Sequence, residues 1–92
     1  MGYIVDTTGT IKKVNPNNGT EFTLKELQGF VGGLIENVPI FFDQVSEKPE
    51  WDVMLCNEEG LIKGYEPNEI ASRLAQQLIV GNVVLLKNEE WS

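Results

Sequence analysis

The chain has no histidine and a single cysteine in 92 residues. Without histidine there is no Ser-His-Asp or Cys-His catalytic arrangement and no histidine-based zinc site. Cys56 alone supports neither an internal disulfide nor a thiolate metal cluster. It closes the apolar run VMLC, so its thiol is expected to be buried, inert and raised in pKa. The alternating Asp/Asn pattern of a calcium loop is missing as well. No metal and no cofactor is expected.

Long apolar runs are absent, so no membrane-spanning helix is expected. The opening MGYIVDTTG lacks the basic-then-apolar order of a signal peptide, and Asp6 stands where a myristoylation pattern needs Ser or Thr. A cytoplasmic location follows as the expectation. Positive charge is scarce too: seven Lys and Arg face fourteen Asp and Glu, a net charge of −7. Nucleic-acid binding through the phosphate backbone needs the opposite sign. An acidic surface of this kind serves solubility, meets a basic protein face or imitates DNA.

What remains is an ordinary globular composition, 41% hydrophobic and 23% charged, on a chain long enough for one modest core. YIVDTTGTIKKV reads as two short strands joined at Thr7-Thr8-Gly9. In FTLKELQGFVGG, Thr23 is placed as an N-cap and Glu26 completes a capping box. Phe22 and Leu27 flank it as a hydrophobic staple. Leu24, Leu27 and Val31 recur at helical spacing, Phe30 lies beside them, and Gly32-Gly33 stops the helix. Ile35, Val38 and Ile40 suit a strand that Pro39 confines to an edge or a bulge. VMLC, apolar at every position, predicts a central strand covered on both faces. A second helix is marked by Ile70, Ala71, Leu74, Ala75 and Leu78, with Pro67 in its first turn and Asn68 or Glu66 as its cap. NVVLLK supplies a last strand. Phe22, Phe30 and one of Phe41 or Phe42 are expected in the core. The order β-β-α-β-β-α-β predicts an α+β fold, a small mixed β-sheet of about five strands with two helices packed on it. Residues 1–92 form one domain, with residues 87–92 a flexible acidic tail.

The stretch NEEGLIKGYEPN, residues 57–68, supports two readings. Asn57, Glu58, Lys63, Tyr65 and Asn68 offer donors and acceptors to a ligand. Equally, Asn57-Glu58-Glu59-Gly60 is a turn leaving a buried strand, and Gly64 and Pro67 position a helix start. Trp51, Tyr65 and Trp91 lie in polar surroundings, where an aromatic ring serves a stacking surface or an oligomer contact. With Lys12, Lys13, Lys63 or Arg73 they would hold a nucleotide by stacking plus charge. The candidate binding set is thus Asn57, Glu58, Lys63, Tyr65, Asn68, Arg73 and Trp91, with no catalytic residue. Glu58-Glu59 and Glu89-Glu90 are adjacent pairs whose side chains diverge on an extended chain, so neither preassembles an acid–base couple.

FTLKELQGFVGGLIENV, then CNEEGLIKG, PNEIA and IVGN, resembles a family of small uncharacterised domains common in bacteriophages and mobile elements and known only as a domain of unknown function. The similarity runs over residues 14–84, and residues 41–52 form a longer loop than the family pattern. The resemblance implies a phage or mobile-element origin and carries over no activity. The expected function is a non-enzymatic binding protein that inhibits a host defence, sequestering a small nucleotide-like signal or blocking a host protein. Pockets for the first mode would form between subunits of a homo-oligomer. An acidic DNA mimic and a purely structural or regulatory phage component are the alternatives. No direct nucleic-acid contact and no membrane partner are expected.

Overall fold

The computed structural model describes residues 2–40 and 51–91. The expectations placed on Phe41 and Phe42 lie outside the described residues. Strands β1 (Gly2–Val5) and β2 (Ile11–Val14) form the expected hairpin, in register Gly2 with Val14 and Val5 with Ile11. The Asp6 carboxylate organises its turn, accepting from the Thr8 hydroxyl at 2.6 Å and from the Thr10 amide at 2.9 Å. Those bonds, the Thr8 hydroxyl first, hold the Asp6 pKa below its ordinary value.

Helix α1 (Leu24–Val31) starts as its sequence dictates. Thr23 Oγ1 accepts from the Glu26 amide at 3.1 Å, and Glu26 Oε1 accepts from the Thr23 amide at 3.1 Å. Phe22 and Leu27, the staple pair, are both buried. Leu24 is exposed rather than in the core, because as the first helical residue it precedes the turn that meets the sheet. Gly32 closes the helix at φ 83°, a left-handed cap that donates to Gln28 O at 2.8 Å. The amides of Thr23 and Asn17 hold the Glu26 carboxylate below its ordinary pKa. That contribution is complete above about 4.5 and is lost as pH falls through the lowered folded value. Thr23→Ala is expected to cost ~1 kcal/mol at neutral pH in urea unfolding, with a smaller penalty once the carboxylates are protonated.

Strands β3 (Ile35–Val38), β4 (Val53–Asn57) and β5 (Val83–Leu86) complete a five-stranded sheet in the order β2-β1-β5-β4-β3. β3 is an edge strand, and Pro39 lies just past its end. Met54 and Cys56 face one side of the sheet with Val83, Leu85 and Val5, while Val53 and Leu55 face the other with Val84 and Leu86. Helix α2 (Glu69–Ala75) covers the first side through Ala71 and Ala75, and α1 covers the second through Leu27 and Val31. The two helices thus sandwich the sheet. Each buried Leu or Val here contributes roughly 1.5–3 kcal/mol relative to exposure.

Among the described residues every ladder is antiparallel, which corrects the expectation of a mixed sheet. The reason lies between β4 and β5. A helix between two strands usually crosses the sheet and makes them parallel. Here residues 58–82 leave one end of the sheet and return to that same end. The Pro67–Val80 bridge, Asn68 N to Ile79 O at 2.8 Å and Gly81 N to Glu66 O at 2.8 Å hold the return. Pro67 belongs to this bridge and lies before the helix, whose cap is Asn68. α2 also ends earlier than expected, at Gln76 in a left-handed conformation. Ser72 Oγ accepts the Ile79 amide at 2.9 Å, so Ile79 enters the core and Leu78 is left 60% exposed.

The chain end is packed where a flexible tail was expected. A 3-10 turn at Asn88–Glu90 follows β5. Asn88 N donates to Asp52 Oδ1 at 2.8 Å, Phe22 N donates to Glu90 O at 2.6 Å, and Trp91 packs against the α1-side core. Burial of the Trp91 ring draws the segment back onto the domain.

Candidate functional site

The antiparallel return gathers several segments at one end of the sheet: the β1–β2 turn, the end of α1, the start of β3, and both ends of residues 58–82. Two asparagines fasten them. Asn57 Nδ2 donates to Val31 O at 3.1 Å while its Oδ1 accepts the Glu59 amide at 2.7 Å, tying β4 to the end of α1. Asn68 is fully buried, with Nδ2 donating to Val5 O and Gly81 O, both at 2.9 Å, and Oδ1 capping α2 at the Ala71 amide at 3.1 Å.

Between α1 and the fastened segments lies an open groove of about 320 Å³. One side is the helix end, with Gly29, Phe30 and Gly32; the other is Tyr65, Glu66, Gly81 and Asn82, with Thr7 at the hairpin turn. The Tyr65 ring rests on Gly81, so closely that a Cβ there would stand 2.7 Å from Cδ2. The Tyr65 hydroxyl reaches toward Gly32, whose Cβ would lie 3.1 Å from it. Phe30 meets Phe22 edge-on at 6.1 Å and is itself half-buried, so its ring serves both core and groove. The polar complement is one carboxylate, one amide and the Thr7 and Tyr65 hydroxyls. Lys63 Nζ donates to Gly32 O at 3.4 Å, which places an ammonium beside the helix end.

The expected binding set is divided by this arrangement. Tyr65 lines the groove and Lys63 neighbours it. Asn57 and Asn68 are buried outside this groove, with their amides bonded to the backbone as fasteners; Asn57 lines the cleft beside β3 and Asn68 one at the hairpin turn. Glu58 is exposed and lines a different cleft, about 190 Å³, beside β3. Arg73 pairs with Glu69 at 2.7 Å on an exposed face of α2 and borders a third cleft at the hairpin turn. Trp91 belongs to the α1-side core. Tyr65 alone of the groove lining belongs to the expected binding set; the sequence points to turn, helix and cap roles for Thr7, Phe30, Val31, Gly32 and Glu66, and to no site role for Gly29, Gly81 and Asn82. Their signal was faint: a glycine inside a helix, and Gly-Asn after an apolar run.

Cys56 is buried on the α2 side of β4. Desolvation, and then the charge of Glu36, push its thiol up to about 11. Among the described residues no three of His, Cys, Asp and Glu converge as a metal site. Among the same residues no helix is long and apolar enough to cross a membrane.

The family model described as the domain of unknown function DUF3846 matches residues 2–92, and the chain belongs to that family. No curated protein and no solved structure matches it.

Proposed function

We propose that this member of the DUF3846 family acts by binding, holding a small nucleotide-like molecule in the groove between α1 and Tyr65. The observation that carries the reading is the groove itself. It offers two aromatic rings, Phe30 and Tyr65, with three polar side chains around them and no nucleophile–base pair in its lining. Its volume stands at the lower end of the range for small-molecule sites, enough for one ring system and its first substituent. Lys63 beside the helix end would meet a phosphate carried by that substituent. In the wider reading the protein is of phage or mobile-element origin and works in the cytoplasm of an infected or carrier bacterium. There it would inhibit a host defence by sequestering a signal, with a homo-oligomer enlarging the groove for a bigger ligand.

Blocking of a host protein is the second reading, favoured by a separate surface. Leu61 is 70% exposed, Ile62 84% and Leu78 60%, and Leu61 and Leu78 border the same cleft beside β3. A DNA mimic is less favoured, because the Asp6, Glu26 and Glu90 carboxylates are spent on the chain's own turns and caps.

Native mass spectrometry of protein purified from its host cell tests the choice. An adduct of nucleotide mass, released on denaturation and lost in Tyr65→Ala, is the expected result. Bare wild-type protein that also takes up no added nucleotide would sink the groove reading and turn attention to the surface at Leu61, Ile62 and Leu78.

A further inference from the structure

Gly29 is a position in α1 whose residue choice the helix does not explain. It lies inside an eight-residue helix, where glycine is less favourable than alanine because the unfolded chain has more freedom to lose. Its backbone has no positive φ, and a Cβ built on it would meet nothing within 4 Å. Gly81 is different, since a Cβ there collides with Tyr65. Gly29 is exposed and lines the groove, so the space a side chain would take stays open at the groove wall.

The polar lining narrows what would fill it. Among the described residues, Glu66 is the one charged residue lining the groove, and its carboxylate only accepts hydrogen bonds when ionised. It disfavours an anionic group at that point and favours a ring edge carrying N–H donors. Asn82 adds an amide that both donates and accepts. Among nucleobases, guanine presents two adjacent N–H donors, on N1 and on the exocyclic N2, which match the two oxygens of one carboxylate. Uracil offers a single donor and cytosine a single amino group.

Resting on the groove reading above, we infer that the ligand's recognised part is a guanine-type base. It lies with its ring against the bare α1 backbone at Gly29 and the Phe30 and Tyr65 side chains, and with its donor edge on Glu66. Gly29 is then a specificity device, kept at the expense of helix stability so that a flat ring can approach the backbone.

Isothermal titration with guanosine, inosine and uridine 5′-monophosphates tests this, alongside thermal melting of the free proteins. Inosine lacks the 2-amino group and is expected to bind about tenfold or more weakly than guanosine, with uridine weaker still. Glu66→Gln should erase the guanosine–inosine difference. Gly29→Ala should raise the melting temperature of the free protein by roughly 2–8 °C and weaken guanosine monophosphate binding at least about tenfold. Equal binding of guanosine and inosine monophosphates, or full binding by Gly29→Ala, overturns the inference and leaves the groove reading standing. So does a Tyr65-dependent adduct of another chemistry in the native spectra. A fall in the Gly29→Ala melting temperature overturns the argument from helix cost. If no nucleotide binds and the native protein carries no adduct, both the inference and the reading fall.

Discussion

Asn68→Ala is expected to cost ~3 kcal/mol or more, a large part of the 5–15 kcal/mol that holds a domain of this kind folded. Three bonds go at once. Loss of the α2 cap accounts for about 1 kcal/mol. The carbonyls of Val5 and Gly81 are left buried without their donor, at roughly 1–3 kcal/mol each before relaxation. The side chain is fully buried, so water does not simply replace it. Asn68→Ser keeps a cap acceptor but loses the reach to both carbonyls, and should fall between wild type and alanine. Asn68→Asp keeps the cap and sets a buried carboxylate against two carbonyl oxygens. It should therefore be worse at neutral pH than under acid conditions where it is protonated. Urea unfolding of the three variants checks the series. An alanine variant within about 0.5 kcal/mol of wild type would mean that the β1 end and the β5 entry do not depend on this residue.

This one side chain also marks where the sequence was legible and where it was not. Local signals read well: the Thr23–Glu26 box, the Gly32 stop and the doubly covered VMLC strand each follow from residues within a few positions of one another. The antiparallel sheet did not, because it depends on Asn68 meeting Val5 across 63 positions and on the Pro67–Val80 bridge. A helix between two strands looks the same in sequence whether it crosses the sheet or doubles back. Leu78 fits the apolar period of α2, but Ser72 diverts the chain to Ile79 first. The last residues read as an acidic tail because three polar residues hide the pull of Trp91.

The site was legible in one residue of its aromatic pair. Tyr65 stood out as an aromatic in polar surroundings, whereas Phe30 was absorbed into the expected core, against which it indeed packs in part. Asn57 and Asn68 drew attention for the opposite reason. Polar loop residues look like ligand contacts until their hydrogen bonds are seen to end on the chain's own carbonyls. Glycines along the groove carry no side chain to notice, and their meaning depends on what stands opposite them.

Gly81→Ala is the second large effect expected, about 2–3 kcal/mol of destabilisation. Gly81 adopts φ 78°, where an L-residue pays ~1–2 kcal/mol, and its new Cβ would meet Tyr65 Cδ2 at 2.7 Å. The two costs are separable. Tyr65→Ala removes the collision but not the backbone strain, so the double variant should be more stable than the sum of the single losses by roughly 1 kcal/mol. Gly81→Asn, better tolerated at positive φ, keeps the collision and reduces the strain. Thermal and urea unfolding of the cycle decide the matter. Strict additivity would show that the Tyr65 ring yields freely and that Gly81 does not set the groove wall. Coupling of the expected sign gives the two sides of the groove opposite responses to one added methyl group. At Gly81 the missing Cβ leaves room for the protein's own ring, and filling it destabilises the fold. At Gly29 the space stays open at the groove wall, and filling it stabilises the free protein while closing the site. That difference in sign separates a glycine the fold requires from one that only a ligand would require.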